Sequence, residues 1–287
     1  MKQVGLVGYP VSHSLSPLMQ QAAFDALQIE ANYVLWETFP DQLARKIASL
    51  RSSAILGANV TIPYKEDVMQ LVDECDPFAA RIGAINTIVN RDGRLYGYNT
   101  DAQGLITALI EFSLYPFDCA GKKVVILGTG GAARAAAVGL LEKGVGEVVF
   151  LGRTEAHLQN ILRHLSTFSV KMHRNTHIKG ALFGYPEVRE FLSDAELVVN
   201  ATPIGLKVDD AELLIDVNVL PITALVMDMI FNPPFTPLLR TARAHGCQVL
   251  NGLSMLLYQG ALAFELWTGR PAPIEVMQKA IGIVKEG

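Results

Sequence analysis

Cysteine is scarce in this chain. Cys75, Cys119 and Cys247 are the only three, too few and too scattered for a disulfide framework or a zinc site. There is no basic surplus either. With 24 Lys and Arg against 28 Asp and Glu the formal charge is −4. That excludes a general nucleic-acid or anionic-membrane binder, while leaving room for one local basic pocket. No apolar stretch reaches the roughly 18 residues that a membrane span needs. The N-terminal apolar run is short and is interrupted by Pro10 and the polar Ser12-His13-Ser14, unlike a signal peptide. Charged residues make up only 18% against 50% hydrophobic, so disorder is excluded. What remains is a cytoplasmic enzyme or binding protein, with 287 residues predicting about two domains at roughly 150 residues each.

Strand and helix signals alternate, which predicts an α/β fold. Apolar runs at 4–8, 32–37 and 55–62 read as strands. Ser16 before Pro17 reads as a helix cap with proline at the first helical position, and residues 41–50 read as a second helix. Residues 85–90 and 94–98 flank Arg91-Asp92-Gly93, a hairpin signal, so the first sheet is predicted to be mixed. Asp101 opens a crossover helix toward Phe112, broken at 115–121. Strands follow at 123–127, 147–151, 197–201, 225–229 and 248–250, and the last 36 residues, 252–287, carry helical periodicity.

Gly128, Thr129, Gly130, Gly131, Ala132 and Ala133 directly follow a strand and open a helix. The spacing fits a dinucleotide loop. The first glycine makes the turn, the second lets backbone approach a pyrophosphate, and Ala133 keeps helix and sheet close, with the helix N-terminus facing the anion. At the end of the next strand stand Gly152, Arg153 and Thr154 rather than a carboxylate. A guanidinium and a hydroxyl suit a 2′-phosphate, which favours NADP, with NAD as a secondary cofactor. Glu155 counts the other way.

A polar set lies at the predicted strand ends of the first hundred residues: Ser14, Ser16, Asn59, Thr61, Lys65, Asn86, Asn99, Thr100 and Asp101. Each alone has a bland reading: helix cap, local backbone partner or solvated charge. Converging at the carboxyl ends of strands, they would suit a small polyhydroxylated acid.

The segments GYPVSHSLSP (8–17), GANVTIPYK (57–65), GAINT (83–87), GYNTD (97–101), GTGGA (128–132), NATPIG (200–205) and GLSMLLYQ (252–259) resemble shikimate dehydrogenases, in this order along nearly the whole chain. The resemblance implies reversible NADPH-dependent reduction of 3-dehydroshikimate to shikimate, on the way to chorismate and aromatic amino acids. It implies a substrate domain of residues 1–104 plus 252–287 and a Rossmann-type NADP-binding domain of residues 105–251. It also implies that Ser14 and Ser16 bind the substrate carboxylate, and that Thr61, Asn86, Asp101 and Gln259 hold ring hydroxyls. In the family pattern Lys65 and Asp101 form the catalytic pair and Gly252 lies by the nicotinamide. Partners are then a small-molecule substrate and no nucleic acid or membrane, with the chain acting as a monomer or a homodimer.

The chain departs from the family pattern at four positions. Gly152 stands where asparagine is common, His157 where a second basic residue is frequent, Phe231 where tyrosine is frequent, and Leu206 where methionine is usual. The first two would soften NADP preference, and Phe231 would leave out one hydroxyl near the substrate. A quinate/shikimate dehydrogenase and a non-catalytic ligand sensor are the rival readings. The serine pair argues against the first, and the presence of both Lys65 and Asp101 against the second. His173 and His177 have no acidic partner at ligand spacing and read as solvated. Trp36 and Trp267 read as packing residues.

Overall fold

The computed structural model describes residues 1–113, 117–171, 176–206 and 213–283. Tyr115 and Pro116 of the expected helix break, and His173, lie outside them. The chain divides into two compact units, Met1–Gly104 with Leu256–Gly287, and Leu105–Met255.

In the first unit the chain order is β1 (Lys2–Gly8), α1 (Ser16–Ala26), β2 (Ala31–Glu37), α2 (Leu43–Ser49), β3 (Ile55–Val60), β4 (Glu74–Cys75), α3 (Pro77–Ile82), β5 (Thr87–Arg91) and β6 (Arg94–Tyr98), with α4 (Asp101–Glu111) leaving it. The strands form one sheet in the order β2-β1-β3-β5-β6-β4. β1 pairs in parallel with β2 and β3, whereas β5 is antiparallel to both β3 and β6. The sheet is therefore mixed, as the hairpin signal predicts. Asp92 and Gly93 take φ of 53° and 87°, the left-handed pair that a two-residue hairpin connection demands.

One local expectation fails. Leu15, not Ser16, occupies the cap position of α1, and no side chain caps it. The Ser14 hydroxyl instead accepts from the Ser16 N–H at 3.2 Å, a local turn two residues long that moves Ser16 inside the helix.

The second unit carries β7 (Lys123–Leu127), α5 (Gly131–Glu142), β8 (Glu147–Gly152), α6 (Glu155–Lys171), β9 (His177–Leu182), α7 (Glu187–Ser193), β10 (Leu197–Asn200), β11 (Leu225–Asp228), α8 (Pro237–His245) and β12 (Gln248–Leu250). Its sheet runs β12-β11-β10-β7-β8-β9 with every pairing parallel. Counted from β7 this is the order 3-2-1-4-5-6 read from the β9 edge, the doubly wound dinucleotide-binding arrangement. The central strands are continuous apolar runs because helices cover both faces of a parallel sheet. Val125, Leu127, Val149, Leu151, Val198 and Val226 are fully buried. β9 has no such run. It is a half-exposed edge strand beginning at His177, and its sequence carries no strand signal.

The chain ends in α9 (Leu253–Thr268) and α10 (Ile274–Ala280). In the first unit Trp267 crosses over β3 to donate its indole N–H to the Ile88 carbonyl at 3.0 Å. Only a glycine fits beneath it. A Cβ at Gly57 would lie 2.1 Å from that carbonyl oxygen and 2.6 Å from the indole nitrogen. Gly57→Ala should therefore lower unfolding stability by about 1–3 kcal/mol, the cost of overpacking, read as a lower urea midpoint. An unchanged midpoint would show that the strand and the indole move aside freely.

Candidate active site

All the polar residues singled out in the first hundred positions lie at one edge of the first sheet. Ser14 and Ser16 follow β1, Thr61 and Lys65 follow β3, and Asp101 follows β6. Asn86 precedes β5, which runs antiparallel to β3, so its start lies at the same edge.

Lys65 and Asp101 meet. The ammonium donates to the Asp101 carboxylate at 2.6 Å, with side-chain exposures of 17% and 5%. The lysine thus keeps some access to a ligand while the carboxylate is enclosed. Asp101 is fixed from three directions. It opens α4, where the helix N-terminus favours negative charge. Its N–H donates to Asn99 Oδ1 at 3.0 Å, and its second oxygen accepts from Asn86 Nδ2 at 2.8 Å. On the lysine side, the Lys65 carbonyl accepts from the Ile85 N–H at 2.7 Å, and the neighbouring Tyr64, itself buried, donates to the Thr38 carbonyl at 2.6 Å.

Asn86 is the hub. Its amide nitrogen also faces Thr100 Oγ1 at 2.9 Å and Gln259 Oε1 at 3.3 Å, and its oxygen accepts from the Thr100 N–H at 2.8 Å. Gln259 comes from α9, far along the chain. It reaches the hub because Gly104 lets α4 and α9 approach closely. A Cβ at Gly104 would lie 2.8 Å from Gln259 Cβ.

A buried chain of hydrogen bonds continues from the hub. Thr87 Oγ1 donates to Asn86 Oδ1 at 2.9 Å, Asn59 Nδ2 donates to Thr87 Oγ1 at 3.2 Å, and Tyr33 donates to Asn59 Oδ1 at 2.8 Å. Burial pushes the Tyr33 hydroxyl far above its ordinary pKa, partly offset by a hydrogen bond from Ser16. Thr61 packs on Gly8, where a Cβ would meet its methyl at 2.3 Å. Sequence reasoning missed Tyr33. The one signal was a lone aromatic hydroxyl within β2.

In the second unit the loop after β7 sits where β7 and β10 part company in chain order, the switch point at which parallel sheets hold ligands. Gly128 takes φ of 110°, and a Cβ there would lie 3.1 Å from the Ala201 carbonyl oxygen. Gly130 caps α5 in an extended conformation, and a Cβ there would meet nothing within 4 Å. Open space therefore lies over the first N–H groups of α5, beside Gly131 and Ala132, while Ala133 is fully buried. Arg153 and Thr154 are exposed beyond the end of β8. Arg153 has no ion-pair partner among the described residues. Glu155, the counter-indication, accepts from Gln159 Nε2 at 2.8 Å, so it is engaged along its own helix. The donor set fits an adenosine 2′-phosphate. Gly252 donates to the Ile230 carbonyl at 3.0 Å, and a Cβ there would lie 2.1 Å from the Met229 carbonyl oxygen.

The loops after β10 and β11 share a buried carboxylate that sequence reasoning also missed. Asp228 accepts from Asn200 Nδ2 at 3.1 Å, from the Ile230 N–H at 3.0 Å and from Thr236 Oγ1 at 2.7 Å. Burial raises its carboxyl above the ordinary range, with those three donors opposing the rise.

Among the described residues no group of three metal-ligating side chains assembles, and no helix is long and apolar enough to cross a membrane. Burial raises all three thiols, Cys119 to about 11, which is the opposite of what a reactive cysteine needs.

Residues 6–88 match the family described as shikimate dehydrogenase substrate binding domain, and residues 252–281 the shikimate 5′-dehydrogenase C-terminal domain. A shikimate dehydrogenase (NADP(+)) of Symbiobacterium thermophilum is 42% identical over 285 residues, covering 99% of this chain and 95% of that protein. The shikimate 5-dehydrogenase of Thermus thermophilus, solved with NADP(H) and shikimate, has a TM-score of 0.84 at 34% identity, with 98% of each chain covered. The Listeria monocytogenes enzyme, solved with shikimate and NAD, has a TM-score of 0.84 at 32% identity, covering 97% of this chain and 96% of that one. With a hydrogen-bonded lysine–aspartate pair at one sheet edge, a dinucleotide-type sheet behind the glycine loop, and full-length identity at this level, the chain belongs to the shikimate dehydrogenase family.

Proposed function

We propose that this protein catalyses the NADPH-dependent reduction of 3-dehydroshikimate to shikimate and the reverse oxidation. The observation that carries the reading is the enclosed Lys65–Asp101 pair at 2.6 Å, ringed by the amides and hydroxyl of Asn86, Gln259 and Thr100. That ring suits a substrate with several hydroxyls on a small ring. When bound, NADPH supplies the hydride.

Lys65 places its ammonium at the ketone oxygen, stabilises the negative charge that develops there and provides a proton. Asp101 holds Lys65 in place and, through the face it shares with Asn86, receives a ring hydroxyl. Asn86, Thr61 and Gln259 take the remaining hydroxyls, and Ser14 and Ser16 take the carboxylate. Gly128, Thr129, Gly130, Gly131 and Ala132 cradle the pyrophosphate, Arg153 and Thr154 hold the 2′-phosphate, and Gly252 lies beside the nicotinamide. The two units correspond on this reading to a substrate domain and a cofactor domain.

The test is a spectrophotometric assay of shikimate and quinate, each with NADP+ and NAD+. Shikimate with NADP+ should turn over fastest. Quinate with NAD+ turning over faster would overturn the substrate and cofactor assignment. Thermal stabilisation by shikimate without cofactor reduction would make the protein a sensor. Ser14→Ala should raise KM for shikimate about tenfold, the value of one charge-assisted hydrogen bond, with a much smaller change in kcat. A KM equal to that of the unsubstituted protein would remove Ser14 from the carboxylate site.

A further inference from the structure

We infer that Thr129 is a specificity-determining residue for the cofactor's 2′-phosphate, and that it acts as a matched pair with Gly152. The inference rests on the cofactor site proposed above. Thr129 lies in the glycine loop, and Gly152 is the last residue of β8, directly before Arg153.

A Cβ at Gly152 would lie 3.1 Å from the Thr129 γ-methyl, closer than ordinary van der Waals contact, with Leu158 next at 3.7 Å. The threonine methyl therefore occupies the room that a side chain at 152 would need. Threonine is stiff about its Cα–Cβ bond, so seating the methyl against Gly152 also fixes the hydroxyl. That hydroxyl makes no side-chain hydrogen bond among the described residues, and Thr129 is only half-buried. A glycine at the end of β8 removes a polar side chain from the place where the ribose substituent is read. The threonine across from it puts one back, on the loop facing the residue that precedes Arg153. The 2′-phosphate is then held by a cation and by a hydroxyl from the opposite loop, and the absence of a longer side chain at 152 is compensated.

Isothermal titration of the full chain with adenosine 2′,5′-bisphosphate and with 5′-AMP tests this without relying on turnover. Thr129→Val keeps the methyl and removes the hydroxyl. It should weaken the bisphosphate about tenfold and leave 5′-AMP within twofold. Gly152→Ala should weaken the bisphosphate several-fold by pressing on the methyl. Gly152→Ala combined with Thr129→Ser, which keeps the hydroxyl and drops the methyl, should restore it. Thr129→Val binding the bisphosphate like the unsubstituted chain, or weakening both probes equally, would overturn the inference. So would a Gly152→Ala effect that Thr129→Ser does not relieve. Arg153→Ala is the separate control. If it leaves bisphosphate affinity unchanged, the cofactor site itself is misplaced; if it weakens binding while Thr129→Val does not, only the role of Thr129 fails.

Discussion

Replacing Lys65 with alanine is expected to lower kcat by about 10²–10⁴, the range for losing a positioned acid–base group. Binding of NADP(H) should stay within about twofold, because the residues proposed to hold it lie in the other unit. The fold should survive. The backbone of Lys65 is held by its own carbonyl accepting from Ile85 and by the buried Tyr64 beside it, and neither bond involves the ammonium. Asp101 would keep its bonds to Asn86 and Asn99 but lose its cation. Its charge is nearly enclosed, and leaving a buried charge without its partner is unfavourable, so some stability is lost as well. Lys65→Met restores the bulk of the side chain and leaves out only the charge, so it should lose turnover as fully as alanine does and shows that the loss does not come from an emptied volume. The decisive measurement is steady-state kcat beside a urea midpoint. Turnover within a few-fold of the unsubstituted enzyme, in a folded variant, would take Lys65 out of the chemistry.

The convergence of the polar set was legible in the sequence for a specific reason. Lys65 and Asp101 each follow a strand whose apolar run is easy to see, and strands running to one edge of a sheet bring their terminal loops together; that these two side chains pair was implied only by the resemblance to shikimate dehydrogenases. The hairpin was legible because Asp92-Gly93 can take the left-handed conformation that the turn requires. The glycine loop was legible because its spacing answers to a backbone geometry rather than to packing. Tyr33, Asp228 and Trp267 were not legible in these roles. What each does depends on which strand lies beside it, and neighbours in these sheets come from distant parts of the chain: Asn59 for Tyr33, Asn200 for Asp228, Ile88 for Trp267. The misplaced helix cap has a local cause. A serine two residues before another serine offered two equivalent hydroxyls, and the earlier one took the backbone N–H.

Asp228 is where the second large effect is expected. Asp228→Ala removes the acceptor for Asn200 Nδ2, for the Ile230 N–H and for the Thr236 hydroxyl at once. With a buried unsatisfied group costing about 1–3 kcal/mol and some relief from rearrangement and water, the loss should be about 3–5 kcal/mol, read as a lower urea midpoint. Asp228→Asn keeps one oxygen for the two N–H donors and should cost much less. The pH dependence has a definite sign. Burial raises the Asp228 carboxyl above its ordinary 3.8, so the folded chain holds this proton more tightly than the unfolded one. The stability this contributes is fully present below the unfolded value and is lost as pH rises through the raised folded value. Asparagine does not titrate. The deficit of Asp228→Asn relative to the unsubstituted chain should therefore be greatest in acid and shrink as pH rises. Because Asn200 also orients Thr202, through 3.0 and 2.7 Å bonds to its oxygen, and a Cβ at Gly128 would lie 3.1 Å from the Thr202 methyl, NADP+ affinity should fall together with stability in Asp228→Ala. An alanine variant that unfolds at the unsubstituted midpoint would mean that the loops after β10 and β11 hold their shape without the carboxylate. A deficit of the asparagine variant that grows with pH would mean that the buried group is held ionised rather than protonated.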